Sequence, residues 1–113
     1  MAVTNERMAQ YAFLHAMVGD GYFPAHLVER GCGILRALCE QIEAERPRTL
    51  DELYVLTHAA TERFNALDAE LQDADSEIET VAREQIGTDF RAIAAAYGFP
   101  DADSEQLIAP RDW

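Results

Sequence analysis

Between residues 50 and 72 the apolar side chains recur every three or four positions: Leu53, Leu56, Ala60, Phe64, Leu67 and Leu71. At about 100° per residue they fall in a single stripe along an α-helix. Thr49-Leu50-Asp51-Glu52 introduces the stretch as a capping box, in which a hydroxyl and a carboxylate three residues later satisfy amide hydrogens at the helix start. A helix of this kind must bury its stripe, so the rest of the chain has to supply elements to cover it.

The remaining segments read the same way, and none shows sustained period-two alternation. Residues 24–45 carry Leu27, Gly31, Ile34, Leu35, Leu38 and Ile42 on one face, with Gly31 in mid-stripe predicting a close helix crossing. Residues 77–97 carry Ile78, Ala82, Ile86, Phe90, Ile93 and Tyr97 behind a second capping box, Ser76-Glu77-Ile78-Glu79. A first helix over 4–18 has Met8, Tyr11, Leu14 and Val18 on one face and Phe13 and Met17 nearly opposite. Such a helix is either buried on both sides or offers a contact surface, which leaves room for a homodimer.

Breaks fall at Gly19-Asp20-Gly21, Arg46-Pro47-Arg48, Asp73-Ala74-Asp75 and Gly98-Phe99-Pro100. A short helix follows at 104–109, and Trp113 is expected to dock against the bundle. The expectation is an all-α protein: a compact antiparallel bundle of four main helices plus a short C-terminal helix, in one domain over residues 1–113.

Charge is distributed unevenly. The net charge is -12, of which residues 49–113 contribute fifteen acids against the four arginines 63, 83, 91 and 111. Such a surface disfavours nucleic acid and anionic membranes, both of which need cations placed against phosphate, and it favours basic partners. All nine basic residues are Arg, so lysine nucleophiles and Schiff bases are excluded. No basic leader and no apolar run of membrane-spanning length is present, which makes a cytoplasmic location the expectation. Cys32 and Cys39, about 10 Å apart if helical, are too distant for a disulfide and read as small buried thiols.

The helix over 77–97 has Glu79 and Asp89 inside its apolar arc, where a carboxylate needs a partner. Arg83, one turn after Glu79, is the nearest local one. The preceding helix carries Tyr54, Thr57, His58, Thr61, Glu62 and Asn65 along one flank. If the two helices run antiparallel from a turn near residue 74, Asp89 comes within a turn of His58, Thr61 and Glu62, and Arg83 within a turn of Asn65. A docked C-terminus brings Arg111 to the same cluster. Three readings compete: a structural network fixing helix register, a metal site, or a small-molecule or acid-base site with His58 as proton carrier. The i, i+4 pair His58 and Glu62 lacks the Glu-x-x-His pattern of di-metal bundles, so no metal or other cofactor is expected. His15 and His26 have no companions at ligand spacing.

Several short motifs point to a family. They are Tyr22-Phe23-Pro24, Thr57-His58 with Thr61-Glu62 and Asn65, Ser76 to Thr80, Ile86-Gly87 with Asp89-Phe90, Ala96-Tyr97-Gly98-Phe99 and Arg111-Asp112-Trp113. Over residues from about 11 to 113 the chain resembles a family of small acidic bacterial proteins catalogued as a domain of unknown function. That resemblance implies a bacterial origin and assigns no activity, cofactor or site.

No nucleophile elbow, phosphate loop, CxxC or HExxH is present, so an enzyme is not the favoured reading. The favoured reading is a non-enzymatic interaction protein whose acidic face binds a basic protein partner, by analogy with immunity proteins and antitoxins. The alternative is a small-molecule-binding protein or small enzyme using the His58, Glu62, Arg83 and Asp89 cluster.

Overall fold

The computed structural model describes residues 3–113 and is all-helical, with no strand among those residues. Five helices follow one another: α1 (Glu6–Ala9), α2 (Ala25–Glu45), α3 (Leu50–Asp73), α4 (Thr80–Ala96) and α5 (Ser104–Leu107). Three are long and two are single turns. The α2 and α3 stripes close on one another across the link 46–49, which is far too short to return along a helix of that length, so the two run antiparallel. Phe64 and Phe90 meet edge to face at the centre, with ring centroids 6.1 Å apart.

The helix starts and stops follow local chemistry. Thr49 caps α3 by accepting from the Glu52 amide, while the Glu52 carboxylate accepts from the Arg48 amide. Gly98, at φ +93, ends α4: the Phe99 amide returns to the Ala94 carbonyl and the Gly98 amide to Ala95, a Schellman closure. Asp75 takes the same left-handed place after α3, at φ 60. The box expected at Ser76 does not form. Ser76 is buried, α4 starts at Thr80, and its N-cap Glu79 makes no side-chain capping bond. The reason lies at Asp68, which accepts the Ile78 amide at 2.8 Å and holds 76–79 in an extended approach to the helix.

The larger correction concerns the first helix. Only Glu6–Ala9 is α-helical; residues 10–24 form a run of turns. Leu14 adopts a left-handed φ of 55 and its amide donates to Asp89 at 2.7 Å, a bond that a continuous helix would have directed to residue 10. Unwinding resolves the problem of two apolar faces, because Phe13, Leu14 and Met17 are all buried together, while Val18 is left exposed. Cys32 and Cys39 are free and buried, as expected.

Gly31 is the close approach that its position in the α2 stripe predicted, although a loop residue makes the tightest contact. A Cβ at Gly31 would stand 2.7 Å from the Leu14 Cδ1 and 3.4 Å from both Leu67 Cδ2 and Phe64 Cε1. Leu14 is fully buried and tethered through its backbone, so it has little room to yield. Gly31→Ala should therefore lose about 1 kcal/mol net in chemical denaturation, overpacking outweighing the gain in helix propensity. Gly33→Ala, with nothing within 4 Å, should gain up to about 1 kcal/mol. Equal effects at the two sites would contradict the packing described.

Candidate functional site

The polar flank of α3 faces the C-terminal segment. α5 packs against both α3 and α4, so residues 104–113 lie as a strap along the groove between the two long helices. Leu107, Ile108 and Trp113 are buried there, Trp113 edge-on to Phe64 at 6.3 Å. The residues expected to form a cluster with α4 instead grip the main chain of this strap. The His58 Nε2 lies 2.6 Å from the Gln106 carbonyl; a carbonyl only accepts, so Nε2 carries the proton, and the ring stacks on Tyr54. Thr61 donates to the Thr57 carbonyl and, at 3.4 Å, to that of Leu107. Asn65 donates to the Pro110 carbonyl at 3.0 Å and accepts from the Asp112 amide at 2.9 Å, with Glu62 accepting from the same Asn65 amide group.

Asp89 is fully buried, as its place in the apolar arc predicted, but its partners come from another direction. Its Oδ1 accepts from the Tyr11 hydroxyl and from Gln85 Nε2, both at 2.8 Å, and its Oδ2 from the Leu14 amide. Burial pushes the carboxyl above the usual range against the opposing pull of these three donors. The Tyr11 hydroxyl is pushed up to about 12, first by burial and then by the Asp89 carboxylate. Asp89 therefore pins the unwound segment 10–24 to α4 and does not meet His58, Thr61 or Glu62. The antiparallel register between α3 and α4 missed this because the strap lies in the groove beside α3 and takes up its polar flank.

Glu79 also departs from expectation: it is exposed. Together with the α3–α4 turn it borders a cleft of about 640 Å³ in which Asp20, Asp68, Glu77, Glu79 and Asp112 face a single cation, Arg83. Glu77 is pushed above the usual carboxylate range by Glu79, first because a proton held on one of the two carboxyls can be shared with the other and then by the repulsion of their charges. Tyr22 stands at the rim, half exposed, its hydroxyl pushed up by partial burial and then by the charges of Glu79 and Glu77. Arg83 makes no ion pair with Glu79 and no bond to Asn65 among the described residues; its Nε is buried without a partner. Arg111 pairs with Glu105 at 3.3 Å, donates through Nε to the Trp113 carbonyl and lies over the Trp113 ring.

Three carboxylate anchors escaped the sequence reading in whole or in part. Asp68 holds Ile78 and Gln72, and its place beside Leu67 and Leu71 in the α3 stripe was the available signal. Glu43 gathers the Thr4 and Asn5 amides, the Thr4 hydroxyl and the Tyr97 hydroxyl. Burial alone would raise the Glu43 carboxyl, but these donors outweigh it and bring it down to about 2. The stability Glu43 lends is thus present above the ordinary carboxylate range and lost as pH falls through about 2. Asp89 was placed correctly, but Tyr11 and Gln85, three-dimensional neighbours contributed by an unwound segment and by α4 itself, were not assigned to it.

Among the described residues no group of three or more His, Cys, Asp or Glu side chains is arranged to hold a metal ion, and no helix is long and apolar enough to cross a membrane. Neither a curated protein nor a solved structure matches the chain. A family match, however, covers residues 7–113, including the polar flank of α3, the Asp89 anchor and the whole strap. The chain belongs to that family, DUF5713, a family of unknown function.

Proposed function

We propose that this protein is a non-enzymatic interaction module that receives a basic segment of a protein partner in the acidic cleft beside the α3–α4 turn. The observation that carries the reading is the Glu77 and Glu79 pair, two carboxylates crowded together at an exposed rim with Asp20 and Asp112 nearby and only Arg83 opposite. A guanidinium or ammonium group seated between them would relieve their repulsion, and the half-exposed Tyr22 ring offers a face for cation–π contact. An acid-base enzyme built on His58, Glu62, Arg83 and Asp89 lacks comparable support, since Asp89 is bonded to Tyr11, Leu14 and Gln85, His58 and Glu62 belong to the flank that grips the strap, and Arg83 joins neither group.

A tetra-arginine peptide followed by two-dimensional NMR tests the proposal. Shifts should concentrate at residues 20, 22, 77–79 and 112, and affinity should fall about tenfold or more between low and physiological salt. The double variant Glu77→Gln/Glu79→Gln should abolish saturable binding, whereas Glu45→Gln/Asp51→Gln, removing the same charge elsewhere, should leave it. Equal losses in both double variants would reduce the effect to diffuse charge and overturn the proposal. The single change Glu77→Gln should also raise the melting temperature at neutral pH. A carboxyl raised in the fold lends stability below its unfolded pKa that is lost as pH rises through the folded one.

A further inference from the structure

Of the four arginines in the acidic half of the chain, three converge on one place. Arg83, Gly87 and Arg91 lie one turn apart on α4, and Arg111 reaches in from the strap. They line a cleft of about 410 Å³, separate from the acidic one except at Arg83, which stands at the wall between them. Gly87 keeps the space between the two α4 guanidinium groups open: a Cβ there would meet only Ile108 Cδ1, at 4.0 Å. Thr88 and Ser104 add hydroxyl groups to the lining.

The charges in this cleft are poorly satisfied. Arg83 and Arg91 make no ion pair among the described residues, and the Arg83 Nε is buried without an acceptor. Of the two lining carboxylates, Glu84 pairs with no arginine, and Glu105 makes the 3.3 Å contact to Arg111 while itself largely exposed. Such a surface pair is weak and readily exchanged. Three guanidinium groups held together in a protein of net charge -12 repel one another, and an anion would offset that repulsion. Forked guanidinium donors combined with two hydroxyl groups suit a tetrahedral, doubly charged oxyanion better than a single planar carboxylate.

We propose that Arg83, Arg91 and Arg111 form a binding site for the phosphate group of a small molecule. The acidic residues flanking the cleft admit a compact phosphate and repel an extended polyanion, so nucleic acid is not the ligand. Calorimetric titration at constant ionic strength with inorganic pyrophosphate, ribose 5-phosphate and succinate tests this. Both phosphates should saturate one site below about 10 mM and succinate should not. Arg91→Gln, at an exposed position, and Arg83→Gln should each weaken phosphate binding about tenfold with the melting temperature nearly unchanged, while Arg63→Gln, outside the cleft, should have no effect. Glu77→Gln/Glu79→Gln should leave phosphate binding in place, which separates this site from the basic-partner cleft. Absence of saturation, equal binding of succinate, or indifference to Arg91→Gln and Arg83→Gln would overturn the assignment.

Discussion

Asp89→Ala should lower stability by about 3 kcal/mol, because it leaves the buried Leu14 amide without an acceptor and frees Tyr11 and Gln85. For a chain of this length that corresponds to a fall of roughly 12 °C in melting temperature. The loss should be concentrated in segment 10–24, where amide exchange would rise to the solvent rate first. Asp89→Asn should cost only about 1 kcal/mol. Its carbonyl can occupy the Oδ2 position and keep the Leu14 bond, while its amide group donates to Tyr11 and to a turned Gln85. The pH dependence has a definite sign. The Asp89 carboxyl is raised by burial, so the stability it lends is complete below the unfolded carboxylate range and declines as pH rises through the folded value. Melting temperatures should therefore move in favour of Asp89→Asn between acid and neutral pH. A wild-type advantage growing toward neutrality would contradict the burial described.

Trp113→Ala should cost about 3 kcal/mol, by removing the ring that packs on Phe64 and leaving a cavity beneath the strap. Trp113→Phe should be close to neutral. The indole Nε1 is buried without a partner, so the smaller ring gives up contact area but also removes an unsatisfied donor. Asn65→Ala, which severs the bonds to Pro110 and Asp112, should cost about 1 to 2 kcal/mol. Both changes release the same ten residues, so the double variant should fall short of the sum by more than about 0.5 kcal/mol in urea denaturation. Strict additivity would show that Asn65 and Trp113 hold independent pieces of chain.

The long helices were legible because each part of their code is local. Thr49 caps where a hydroxyl belongs, Gly98 stops where a left-handed residue is needed, and the stripes of α2 and α3 repeat over about four and five turns. The first segment was misread because its decisive contact is remote. A helical pattern at Met8, Tyr11 and Leu14 is overridden by a carboxylate 75 residues further along that takes the Leu14 amide. The inward position of Asp89 could be read from the helix repeat; its partners could not, since a register argument between α3 and α4 assumed no third element beside them. Glu79 was misplaced by the capping box that Asp68 overrides. His58, Thr61, Glu62 and Asn65 were recognised as one polar flank, and the structure gives them one task, though with main-chain groups that no pattern of side chains reveals.

The grip of α3 on the strap is made almost wholly to carbonyl oxygens and an amide, at positions 106, 107, 110 and 112. A clasp of that kind is indifferent to which side chains sit at the exposed positions 105, 106, 109 and 112. Relatives could vary residues 105, 106 and 109 widely, and so recognise different molecules along this edge, without loosening the segment that carries them.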